Sequence, residues 1–169
     1  MGNRWGERSF LQRGDALVAD DAVITGDVML GEGTNIWFGC VLRGDDAAIS
    51  IGALTNIQDH CVVHADPDAP NHIGEACTVG HRAILHGLGT GDRCLIGMGS
   101  ILLGGSFIGE ESLIAAGALV REGMDVPPRS LVVGVPGRIV CELSAEEAAD
   151  SLGRAERYRE RALEYLPDA

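Results

Sequence analysis

The stretch 94–120, CLIGMGSILLGGSFIGEESLIAAGALV, sets an aliphatic residue at every sixth position: Ile96, Leu102, Ile108, Ile114 and Val120. The step continues downstream to Val126 and Val132. Upstream it runs Val18, Ile24, Leu30, Ile36 and Leu42. After an irregular stretch it resumes at Ile51, Ile57 and Val63, and after an insertion at Ile73, Val79 and Leu85. A five-residue step then reaches Thr90, the one position that breaks the aliphatic rule. Four residues after most of these comes a small one, as at Thr34, Cys40, Thr55, Cys61, Cys77, Cys94 and Ser100. Gly often follows the aliphatic directly, as at Gly31, Gly52, Gly74, Gly80, Gly97 and Gly109.

A period of six is not a multiple of the roughly 3.6-residue helical turn, and so much Gly disfavours helix. The pattern predicts an all-β fold, a parallel β-helix in which each hexapeptide supplies one short strand and one corner. Three hexapeptides make a turn, and this coil is left-handed in known examples. The aliphatic and the small residue point inward, the glycines serve the corners, and turns stack at about 4.8 Å to bury the inner face. The expected organisation is a lead-in over 1–17, a coil of six to seven turns over 18–140, and a C-terminal helix and tail over 141–169. Ser144 and Glu147 form a capping-box pattern, and Leu152, Ala155, Tyr158, Ala162, Tyr165 and Leu166 an apolar stripe that packs along the coil, with Gly153 weakening the helix mid-way.

Composition narrows the partners. A formal charge of −12 argues against nucleic acid and anionic membranes. The polar start MGNRWGERSF has no apolar leader, and no run is long and uninterrupted enough to span a bilayer, so a cytoplasmic protein is expected. Five cysteines without CxxC spacing read as reduced thiols. Cys40, Cys61, Cys77 and Cys94 fall on the small inward position and read as core, while Cys141 lies outside the repeat.

The register also sorts the histidines. His64 follows inward Val63 and His86 follows inward Leu85, three steps and therefore one turn apart. Two imidazoles stacked at neighbouring corners can share one ion. His81 comes two residues after Val79, on another part of the triangle, and is expected to reach that ion only from a neighbouring chain in a threefold assembly. Three histidines and an open fourth position describe a catalytic zinc site, although any one surface histidine is more often without such a role. His60 and His72 are not expected to be ligands.

The segments NIWFGCVLRGDDAAISIGALTNIQDHCVVHAD, IGEACTVGHRAILHG, CLIGMGSILL and LVVGVPGRIV resemble the gamma-class carbonic anhydrases, from about Val18 through Val140. The resemblance implies a homotrimer that hydrates CO2 to bicarbonate with metal-bound hydroxide at its subunit interfaces. It implies His64, His81 and His86 as ligands of Zn2+, with Fe2+ or Co2+ also suited to imidazole. Arg43 and Asp45 of LRGD correspond to an interface pair near the metal, whose simpler reading is a partly buried ion pair. Asn56 and Gln58 of TNIQD correspond to polar groups around the metal, Gln58 contacting its water or bicarbonate; alone, such amides cap turns. Tyr158 matches a tyrosine bordering the pocket, with core packing as the alternative. Two departures stand out. The insertion ADPDAPNH after His64 holds Asp66 and Asp68 but no Glu to shuttle protons, leaving Asp46 and His72 as substitutes. Gly89 and Thr90 are expected to loosen the coil near the site. Other functions open to this scaffold are an acyl-thioester hydrolase on the same metal, a non-catalytic assembly subunit and a hexapeptide acyltransferase.

Overall fold

The computed structural model describes residues 8–167. Short parallel strands stack into a triangular solenoid whose three inner columns follow the six-residue register. On the first face Val18, Ile36, Ile57, Val79, Ile96, Ile114 and Val132 are successive register partners. On the second, Ile24, Leu42, Val63, Leu85, Leu102 and Val120 align. On the third, Leu30, Ile51, Ile73, Thr90, Ile108 and Val126 align. With six or seven rungs per column, the coil makes about six turns. Most of these side chains and the four register cysteines form one continuous core. Burying each large aliphatic contributes on the order of 1.5–3 kcal/mol.

The glycines divide between two tasks, with those at the corners, such as Gly33, Gly39, Gly99 and Gly117, turning the chain as expected. Left-handed φ falls on the third residue after the inward aliphatic, as at Gly39 (φ 65°), His60 (φ 60°) and Arg82 (φ 61°). Gly52, directly after Ile51, instead gives room: a methyl group there would stand 2.6 Å from the backbone nitrogen of Glu75 on the next turn. Gly89 and Thr90 do not loosen the coil. A side chain at Gly89 would overlap the carbonyl of His72, and Thr90 is fully buried in register between Ile73 and Ile108.

The irregular stretch is one strand, Val41–Ile51, that bends across the second and third faces. Its pairing with Val23–Leu30 shifts between Gly26↔Gly44 and Val28↔Ile49, so Asp45 and Asp46 stand out as a bulge. At the ends, Phe10–Arg13 pairs antiparallel with Ala16–Ala19, and Arg138–Glu142 folds back on Ser130–Val133.

The outer sides of the faces differ. The C-terminal helix, Ala145–Leu163, packs on the first face against the strands at Ala16–Ala19, Asn35–Ile36, Asn56–Ile57 and Thr78–Val79. Leu152 is exposed rather than packed, and the buried seam is Ala148, Ala155 and Ala162. Phe10, Trp37, Phe38 and Tyr165 lock its far end through edge-on ring contacts. The second face carries an outward ladder of aliphatics in register: Val23, Val41, Val62, Ile84, Ile101 and Leu119. Val23, Val62 and Ile84 are exposed.

Candidate metal centre

Two separate corners hold the predicted site residues. At the corner after the second face, Arg43, His64 and His86 form one column on successive turns. The His64 and His86 ring centroids are 5.2 Å apart. His64 Nδ1 lies 2.6 Å from the backbone oxygen of Arg43, which fixes the proton on Nδ1 and leaves Nε2 as the lone-pair acceptor. Arg43 Nη2 stands 2.9 Å from that Nε2, and the Asp46 carboxylate 3.2 Å away. His86 turns its Nδ1 towards Asp66, at 3.6 Å.

Arg43 also binds Asp45 with Nη1 2.7 Å from Oδ1. This pair is about half exposed, not partly buried, in the single chain. The guanidinium beside Asp45 holds that carboxyl below the usual carboxylate range, and the carboxylate in turn raises Arg43. Donor atoms of Asp45, Asp46 and His64 all lie within 4.8 Å of one another, so this corner is rich in metal-binding groups within one chain. His72 faces elsewhere, with Nδ1 2.7 Å from Ser50 Oγ.

The second corner follows the first face and holds Asn56, Gln58, His81 and Tyr158. Gln58 donates from Nε2 to Asn56 Oδ1 at 3.1 Å, and Asn56 donates to Thr78 Oγ1 and Cys77 O. Both amides are buried and hydrogen-bonded, so their orientation is set by the coil. His81 Nδ1 is 2.7 Å from Asp59 Oδ2. Asp59 follows Ile57 by the same two residues that separate His81 from Val79, so the carboxylate sits one turn below the imidazole. That partner was missed in the sequence, though the register contains it.

Tyr158 lies between the helix and the first face. Its ring packs edge-on against Trp37, 5.5 Å between centroids, and it lines a groove of about 530 Å³ with Gln58 and His81. Burial pushes its hydroxyl up from the ordinary tyrosine value. The groove lining is largely apolar, including Leu95, Met98 and Leu113, and Arg154 and Arg157 lie on its helix side.

The structure therefore brings His64 and His86 together and leaves His81 on another corner, each imidazole with Nδ1 turned to an oxygen. Imidazole nitrogens suit a borderline cation such as zinc, and at His64 such a cation would take the place of the hydrogen bond that Arg43 Nη2 makes to Nε2.

Among the described residues, no helix is long and apolar enough to cross a membrane. No protein-family model matches the chain. It is 45% identical over 141 residues to a protein named "Probable carbonic anhydrase" from Methanocaldococcus jannaschii, covering 83% of this chain and 89% of the relative. It is 43% identical over 141 residues to "Gamma carbonic anhydrase 1, mitochondrial" of Arabidopsis thaliana, covering 80% of this chain. It spans about half (51%) of that plant relative's length. Among solved structures, a hexapeptide transferase family protein from Anaplasma phagocytophilum superposes with a TM-score of 0.86 at 38% identity, over 91% of each chain. With a relative this similar matched over nearly its whole length, the chain belongs to the gamma carbonic anhydrase family of hexapeptide-repeat proteins.

Proposed function

We propose that the chain is a cytoplasmic, homotrimeric carbonic anhydrase that interconverts CO2 and bicarbonate at zinc sites shared between subunits. The observation that carries this reading is the split of the donors: His64 and His86 stacked 5.2 Å apart on one corner, and His81 oriented by Asp59 on another. The aliphatic ladder beginning at Val23 runs one residue before the inward column of the second face, and His64 and His86 come one residue after it. An unpartnered apolar strip beside an incomplete donor set is what an interface with a second copy would cover. Two ligands from one subunit and one from its neighbour would then make up each site. Cysteine usage, with four thiols in the core, favours a reducing compartment.

Bound zinc would supply a Lewis acid that brings the pKa of a water to about 7. The chain's own groups do the rest. Arg43 O and Asp59 accept from Nδ1 of His64 and His81 and set those two rings, and Asp66 stands 3.6 Å from Nδ1 of His86. The Asn56–Gln58 amide chain presents a fixed polar edge beside His81 for an oxygen of the substrate. Asp46, 3.2 Å from His64, stands where it can accept the proton that hydration releases.

The decisive experiment pairs metal analysis with a rapid CO2-hydration assay on one preparation. We expect bound zinc and hydration above the buffer rate. His81→Ala should lose the metal while leaving the coil's thermal unfolding in place. Full zinc occupancy in that variant rules out the shared site. A second reading, a hydrolase of acyl thioesters on the same metal, is favoured by the apolar groove beside His81 with Arg154 and Arg157. Turnover of an acyl thioester without CO2 hydration would select it.

A further inference from the structure

Asn71 lies on the inner side of the corner that carries His64 and His86 outside. It is the register partner of Ile49 on the preceding turn and is 1% exposed. Its Nδ2 donates to the backbone oxygen of His64 at 2.9 Å and to that of Leu85 at 3.1 Å. Both N–H bonds thus fall on the strands Val62–His64 and Ile84–Leu85, the first ending on His64 and the second one residue before His86. The amide oxygen is buried with no hydrogen-bond partner among the described residues. Flipping the amide would set that oxygen against two carbonyls, so the two acceptors dictate its orientation.

A buried acceptor left alone is destabilising, and an aliphatic such as Ile49 fills the equivalent place one turn away. The lone oxygen is a cost that an aliphatic would not carry, and what the amide supplies in return is a bridge of two N–H bonds between two particular strands. We infer that Asn71 is a positioning residue: its amide sets the spacing and tilt of the strands at Val62–His64 and Ile84–Leu85, and through them the His64–His86 pair. Its effect on metal binding rests on the reading of these histidines as ligands; its effect on the rings does not.

The test compares Asn71→Leu and Asn71→Ser with the wild type in the full-length protein. Three quantities are read: thermal midpoint, zinc affinity by competition with a chromophoric chelator, and imidazole ring NMR signals of the metal-free protein. Asn71→Leu removes the lone oxygen but also the donors to His64 O and Leu85 O, and it should still unfold cooperatively with a melting point near that of the wild type. Its zinc affinity should fall about 10- to 100-fold, the size expected when a partner that orients a ligand is lost. In the metal-free protein the His64 and His86 signals should move while those of His81 stay. Asn71→Ser keeps one donor and should fall between; it also serves if the leucine variant does not fold, since Ser106 already fills an inward place in this coil. Unmoved His64 and His86 signals in a folded variant, or wild-type zinc affinity with a lowered melting point, overturn the inference. If the wild type binds no zinc, the metal reading fails, and the metal-free ring signals still decide the role of Asn71.

Discussion

His81 takes its orientation from the residue one turn below it. Asp59 and His81 hold the same place in consecutive hexapeptides, and the stacking of turns turns that equivalence into a 2.7 Å contact. The carboxylate accepts from Nδ1, which leaves Nε2 as the lone-pair nitrogen of the ring. Asp59→Asn preserves the shape but removes the charge. We expect a loss of zinc affinity of about 10- to 100-fold with an unchanged melting point, measured by chelator competition and calorimetry. Asp59 was legible in the sequence once the register was applied to carboxylates as well as to histidines. Asn71 was hidden, because the insertion after His64 obscures which residue resumes the inward place. At Gly52 the constraint is space. A methyl group would meet Glu75 N and Gly74 C at 2.6 Å, both backbone atoms that cannot yield without parting two turns. Gly52→Ala should destabilise by about 1–3 kcal/mol in chemical denaturation.

The elements divide into those dictated by period and those dictated by partners. The strands followed from the six-residue step because every rung repeats the same inward choice. The helix was legible in its start and extent, since Ser144 and Glu147 form the capping box seen in the structure. Its packing face was only partly so. Leu152 points outward because the helix approaches the coil along the small Ala148, Ala155 and Ala162, where a leucine would hold it away. The capping box also makes the helix acid-sensitive. Hydrogen bonds from the Ser144 backbone N–H and hydroxyl hold the Glu147 carboxyl below its ordinary value. A carboxyl lowered in the folded state stabilises above its unfolded pKa and loses that contribution as pH falls through the folded one. Far-UV circular dichroism should therefore show helix signal declining on acidification below the ordinary glutamate range. Glu147→Gln should remove that pH-dependent part, and an identical acid profile in the variant would contradict the assignment.

At the scale of the whole molecule, the ladder of Val23, Val41, Val62, Ile84, Ile101 and Leu119 and the split histidines make one argument. A coil needs an aliphatic inward at each step, yet nothing in its own core requires an aliphatic outward one residue earlier on six consecutive turns. The alternation was present in the sequence as VI, VL, VV, IL, IL and LV pairs, masked by the inward series beside it. A partner subunit, as proposed, would account for both the outward residues and the distance of His81 from His64 and His86. Ile84→Glu, a charge placed on the ladder, should give monomers by light scattering and lose zinc although no ligand is altered. Mixing variants provides the sharper test. His64→Ala subunits keep His81, and His81→Ala subunits keep His64 and His86, so neither alone can form a three-histidine site. Refolded together in equal amounts, a cyclic trimer pairs the two intact halves at about a quarter of its interfaces. Zinc content should then rise from near zero in each variant to about a quarter of the wild-type value. If all three ligands came from a single chain, the mixture would stay empty.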